Sequence, residues 1–299
     1  MTALDHLFPG FAAKWIDGPA GKIFARVGGD GPPLVLLHGF PQTHAMWHKI
    51  APTLARTHSV VCMDLRGYGW SAAPQSEGGA LYSKRAMAQD VVAAMGALGH
   101  IRFGVLGHDR GARVAYRLAL DHPGRVTQLA LLDILPTLAM WEGMNAARAL
   151  QVYHWTFMAQ PAPMPEKLIQ ADPAGWLEHT IASWTRAKNL QLFAGAAMES
   201  YRSSFNDPAR IHAACEDYRA GATLDLEYDR LDAAAGKTIL SPALVLWGEQ
   251  GIPAAGASPL DVWRQGFAPK ATGQAIASGH FLAEENPGDT LAALLPFFA

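Results

Sequence analysis

Short continuous apolar runs, each followed by a segment of helical spacing, recur along the first half of this chain. Residues 34–37, 59–63, 103–106 and 126–132 do not alternate polar with apolar. That is the pattern of strands covered on both faces. Between them, 43–55 places Met46, Trp47, Ile50 and Leu54 on one side, and 82–98 and 110–121 are also of helical pattern. With an early strand at 22–27, this alternation predicts right-handed βαβ units, hence a mostly parallel sheet with helices on both faces. Such sheets bind ligands beyond the carboxyl ends of their strands, so the residues found there are the first to examine.

The alternation stops after residue 135. Residues 136–226 are rich in Trp, Met and Ala, with helical patterns such as 176–193, and it resumes with a strand at 243–247, a helix at 259–267, a strand at 274–277 and a closing helix at 289–298. The expected organisation is a core of 1–135 and 227–299, with 136–226 inserted as a helical cap. A chain of 299 residues, 50% hydrophobic, can bury a core of that size. The net charge of −2 provides no basic field for nucleic acid or an anionic membrane surface. No run approaches the roughly 20 apolar residues of a membrane span, and residues 1–17 lack a basic, then apolar, leader pattern, so a cytoplasmic setting is expected. Cys62 and Cys215 stand far apart, without Cys/His ligand spacing, and suggest neither a disulfide framework nor a metal site.

Three strand ends carry a coherent set of side chains. Gly107 and Gly111 stand two residues either side of Asp109, the spacing of a nucleophile elbow with aspartate in place of serine. An aspartate is already an anion near neutrality and is suited to displacement at a saturated carbon, giving an ester that water must hydrolyse. Asp109 as a plain helix N-cap is the simpler reading of that spacing alone. Asp133 follows the next strand, and His280 lies in the loop after 274–277. The order nucleophile, acid, histidine is that of hydrolases in which a serine fills the first place. His280 is expected to act as general base and Asp133 to orient its ring, with Glu249, after the strand at 243–247, as the competitor for the acid. The backbone N–H groups of Phe40 and Arg110 are the expected oxyanion donors. Arg110 and Arg113, three apart at the start of a helix, could be a solvated pair, or two forks gripping a substrate carboxylate against Asp109.

The segments His38-Gly39-Phe40-Pro41-Gln42-Thr43, Asp64-Leu65-Arg66-Gly67-Tyr68-Gly69, Gly107-His108-Asp109-Arg110-Gly111-Ala112-Arg113 and Gly279-His280-Phe281 together resemble the fluoroacetate (haloacetate) dehalogenases, whose fold is that of the α/β-hydrolases. The resemblance implies hydrolysis of a 2-haloacid without cofactor or metal, Arg110 and Arg113 on the substrate carboxylate, and His154, Trp155 and Tyr218 as the halide pocket. It also implies a homodimer. Trp184 is a weaker candidate for the cavity wall or gate. Imidazole, indole and phenol suit the pocket, since fluoride needs directed N–H and O–H donors as its charge develops. The rival readings are an epoxide hydrolase, needing two tyrosines from among Tyr153, Tyr201 and Tyr218, and a non-catalytic carboxylate-binding module. The loop 251–258 is small and poor in charge, and its relation to the site is left open.

Overall fold

The apolar runs become the middle of one sheet. The computed structural model describes residues 4–251 and 256–299, and its eight strands are β1 (Ala12–Gly18), β2 (Gly21–Gly28), β3 (Pro33–Leu37), β4 (Ser59–Met63), β5 (Phe103–His108), β6 (Val126–Leu132), β7 (Ala243–Gly248) and β8 (Thr272–Ile276). They lie in the order β1-β2-β4-β3-β5-β6-β7-β8. The pairs β1/β2 and β2/β4 are antiparallel and all others parallel. This is the α/β-hydrolase arrangement. Leu34 to Leu37 and all of β5 are buried, as strands covered on both faces must be.

Register decides where the chemistry emerges. Leu37 pairs with Gly107, His108 with Leu132, and Leu132 with Leu246. The strand ends are therefore level, and the loops carrying Phe40, Asp109, Asp133 and Glu249 leave the sheet in one row. The helix Asp109–Asp121 is buried from Asp109 through Leu120, because the sheet, the helix Lys84–Ala97 and the helices after β6 pack around it. Between β6 and β7 the described chain is helical, from Thr137–Glu142 through Leu224–Ala234. Those helices are tied to the helix under them: Tyr116 Oη donates to Asp229 Oδ2 (2.9 Å) and Arg117 Nη2 to Asp229 Oδ1 (2.8 Å).

Some elements differ from the sequence expectation. The segment 43–55 is a 3₁₀ turn, His44–Trp47, and a short helix, Ala51–Leu54, because Pro52 has no amide to continue a helix and is accepted only in its first turn. The helix expected at 176–193 is Pro173–Trp184, started by Asp172 accepting from the Gly175 amide. It stops where Thr185 turns extended and uses its hydroxyl on Ala182 O and the Asn189 amide. Strand β1 has one buried residue, Ile16, so it carries almost no hydrophobic pattern. Among the described residues no helix is long and apolar enough to cross a membrane.

Candidate active site

Strand β5 passes directly into the helix beginning at Asp109, and the corner is made on Asp109 itself, at φ +46°. A non-glycine residue is uncommon there and persists only when its surroundings enforce it. Gly111 is one enforcing element: a Cβ on it would stand 2.2 Å from His38 O. The Phe40 amide donates to Asp109 Oδ1 (2.9 Å), and Oδ2 lies 3.9 Å from His280 Nε2. The Arg110 amide belongs to the first turn, whose N–H groups have no partner within the helix.

Behind the imidazole, His280 Nδ1 is 2.6 Å from Asp133 Oδ2, and Asp133 Oδ1 accepts from the Gly248 amide (2.8 Å). Asp133 too has a left-handed backbone, φ +54°. Gly251 is forced by this carboxylate, since a Cβ there would stand 2.1 Å from Oδ1. Glu249 takes no part: its side chain is 52% exposed and pairs with Arg186 (3.5 Å). Of the loop 251–258, residues 252–255 lie outside the described residues.

The electrostatics divide the groups by role. Burial alone would raise the Asp109 pKa, but the fields of His280, His108, Arg110 and Arg113 outweigh it and hold the carboxyl below the usual aspartate range. Burial would lower His280, and the hydrogen bond and charge of Asp133 reverse this, so the imidazole titrates above its ordinary value. His154 is pushed down to about 3, chiefly by burial, and is neutral in the folded protein.

Of the two arginines, Arg110 departs from the expectation of a pair of free forks. Arg110 is fully buried and engaged by Asp217: Nε donates to Oδ2 (3.0 Å), and Nη2 donates to Oδ1 (2.8 Å) and to Asp217 O (2.7 Å). Arg113 Nη1 donates to Leu135 O (3.1 Å) and Thr137 Oγ1 (3.0 Å). Neither is a solvated surface pair. Arg110 Nη1, Arg113 Nε, His154 Nδ1, Tyr218 Oη and His280 Nε2 are buried without a hydrogen-bond partner among the described residues. Buried polar atoms are rarely left so, and five around one carboxylate indicate a polar occupant.

The helices between β6 and β7 supply the rest of the enclosure. His154 packs on Trp184 (centroids 4.6 Å) and Tyr218 (5.5 Å), and Trp155 on Tyr218 (6.3 Å). The Arg113 guanidinium lies 4.5 Å from the Trp155 ring centre and that of Arg110 4.3 Å from the Tyr218 ring centre. Trp184 packs on His280 (5.3 Å) and on its other side helps line a cleft of about 280 Å³ with Tyr153, His179 and Lys188. Among the described residues no cluster of three or more His, Cys, Asp or Glu could hold a metal ion. Sequence reasoning missed Asp217, Lys84 and Tyr68 around Arg110, and Thr137 beside Arg113. One signal was available, since two arginines placed under a cap require counter-charges and Asp217 directly precedes Tyr218.

Comparison with known proteins agrees with this fold. A model of the alpha/beta hydrolase fold matches residues 32–287. A fluoroacetate dehalogenase from Burkholderia sp is 43% identical over 297 residues, covering 98% of this chain and 95% of that one. The chain belongs to the dehalogenase family of the α/β-hydrolases. Relatives of other description fall within the same superfamily: a soluble epoxide hydrolase from Corynebacterium sp. (strain C12) is 31% identical, with 91% of each chain covered. Among solved structures, an alpha/beta hydrolase from Nostoc sp PCC 7120 is 48% identical, with a TM-score of 0.94 and 98% and 99% of the two chains covered. In this α/β-hydrolase Asp109, at the corner between β5 and its helix, and Asp133 and His280, in the loops after β6 and β8, all stand just beyond strand ends.

Proposed function

We propose that the protein hydrolyses haloacetates, fluoroacetate foremost, to glycolate and halide through an ester on Asp109. One observation carries this reading: an ionised, buried carboxylate faces four unpaired groups able to donate, Arg110 Nη1, Arg113 Nε, His154 Nδ1 and Tyr218 Oη. Two cations suit a substrate carboxylate, and a neutral imidazole and a phenol suit a leaving halide without adding negative charge.

In the first step Asp109 Oδ2 attacks the carbon bearing halogen, and the carbon–halogen electron pair leaves as halide toward His154, Trp155 and Tyr218. Asp109 Oδ1 becomes the ester carbonyl oxygen, already bonded to the Phe40 amide. A water at His280 Nε2 then gives its proton to the ring and attacks Asp109 Cγ. Negative charge collects on Oδ1, where the amides of Phe40 and Arg110 stabilise it. Collapse expels the glycolate oxygen, which takes the proton back from His280, and Asp109, left as the carboxylic acid, loses its proton to solvent and is restored as the carboxylate. Asp133 fixes the His280 tautomer and balances the imidazolium.

The epoxide reading lacks its second tyrosine. Tyr201 Oη is occupied by Glu284 (3.1 Å), and Tyr153 is part of the outer cleft, which leaves Tyr218 alone over Asp109. The deciding experiment measures fluoride from fluoroacetate and chloride from chloroacetate in wild type, Asp109→Asn and His280→Asn. Halide release abolished in the first variant and an ester trapped in the second are expected. Wild type that releases neither halide would refute the reading. The resemblance also suggests a homodimer, which sedimentation tests directly.

A further inference from the structure

Arg110 is held from behind by a buried network that touches no part of the reacting groups. Asp217, on the helix Pro208–Ala222, engages Nε and Nη2 of the guanidinium through both carboxylate oxygens and through its own carbonyl. Its charge is fixed in turn. Tyr68 Oη donates to Asp217 Oδ2 (2.8 Å), the Lys84 ammonium contacts Oδ1, and the Lys84 amide donates to Asp225 Oδ1 (2.7 Å). Lys84, Arg110 and Asp217 are all at most 1% exposed. The carboxyl of Asp217 is held far below the usual range; burial opposes this, and Arg110 and Lys84 outweigh burial.

Only Nη1 of Arg110 is therefore left for a ligand. A free arginine would offer a carboxylate its Nε and Nη2 edge bidentately, drawing the anion along the guanidinium plane. Here that edge is already filled by a protein carboxylate. We propose that Asp217 is the positioning residue of the substrate-binding arginine, turning the Arg110 fork into one aimed donor, so that a small carboxylate is held by a single bond from Arg110 Nη1 beside the open Nε edge of Arg113. Ordering a buried arginine costs side-chain entropy, and the Asp217 contacts meet that cost before any ligand arrives. The claim that this ligand is a haloacetate rests on the dehalogenase reading; the claim that Asp217 aims Arg110 at a carboxylate does not.

The test uses Asp217→Asn, the double variant Asp217→Asn/Lys84→Met, which leaves no buried lysine without its counter-charge, and Tyr68→Phe, which keeps every charge. Acetate binding is read by calorimetry, and single-turnover kinetics with chloroacetate separate ester formation from ester hydrolysis. Acetate affinity should fall about tenfold or more in the Asp217 variants, the size of a lost charged hydrogen bond, and about twofold in Tyr68→Phe. Ester formation should slow by a similar factor, while hydrolysis, which uses His280 and the backbone amide of Arg110 but not its guanidinium, should stay within about twofold. A looser cap would slow both steps alike, and that result would overturn the proposal, as would wild-type acetate affinity in Tyr68→Phe together with either Asp217 variant. Acetate bound as expected but no halide from the wild type would sink the dehalogenase reading and leave the positioning role standing.

Discussion

Asp133→Asn separates the two chemical steps most cleanly. Two donors among the described residues face the Asp133 carboxylate, the Gly248 amide on Oδ1 and His280 Nδ1 on Oδ2. An asparagine offers one acceptor and one N–H donor, so one partner must face a donor. The Gly248 amide belongs to the end of β7 and cannot turn away, and burying it unpaired costs about 1–3 kcal/mol. The imidazole yields instead, accepting at Nδ1 and carrying its proton on Nε2, where it can no longer take one from water. The same substitution in a serine hydrolase triad lowers turnover about 10⁴-fold, or roughly 5.5 kcal/mol at 1.36 kcal/mol per decade. Ester formation needs no base, because Asp109 is ionised already. Chloroacetate mixed rapidly with this variant should release one chloride per protein and leave a carboxymethyl adduct on Asp109, seen by intact mass and peptide mapping. Continued turnover within tenfold of wild type without adduct would refute the reasoning. So would an adduct accumulating in Glu249→Gln instead.

The raised pKa of His280 implies that ester hydrolysis climbs with pH through a midpoint above 6.5, while ester formation stays level over that interval; stopped-flow measurement of each step checks it. His154, titrating at about 3 in the fold, is protonated more readily when unfolded, so it removes stability as pH falls from 6.5 toward 3. His154→Gln should lose that dependence, gaining on wild type by about 1.4 kcal/mol per pH unit in urea unfolding across that window. Gly251→Ala forces a methyl onto Asp133 Oδ1 and should reproduce the ester accumulation of Asp133→Asn while the protein stays folded, as judged by circular dichroism.

Much of this was legible because strand ends are legible. The apolar runs located β3 to β7 within a residue or two, and the glycines around Asp109 marked the corner. The sequence prefers Asp133 to Glu249 by analogy of fold alone, because each follows a strand; the physical choice depends on which carboxylate lies under His280, a matter of register between β6 and β7. The form of the arginine site was hidden for a different reason. Asp217 is 107 positions from Arg110, and its pairing exists only once the inserted helices fold back over the sheet. Sequence spacing shows that two cations share a helix face, but not which of their N–H groups a distant carboxylate has already taken. Strand β1, nearly all exposed, left no periodic trace.

The left-handed backbone at Asp109 and Asp133 bears on how such a site should be probed. Both positions select for conformation as well as for chemistry, and aspartate and asparagine enter that region more readily than most residues. Alanine at either position would add roughly 1–2 kcal/mol of backbone strain to the loss of the functional group. An alanine scan would thus mix a folding defect with a catalytic one at two of the three positions that matter most. Amide-for-carboxylate exchange holds the turn constant, and only then can a lost rate be assigned to lost charge.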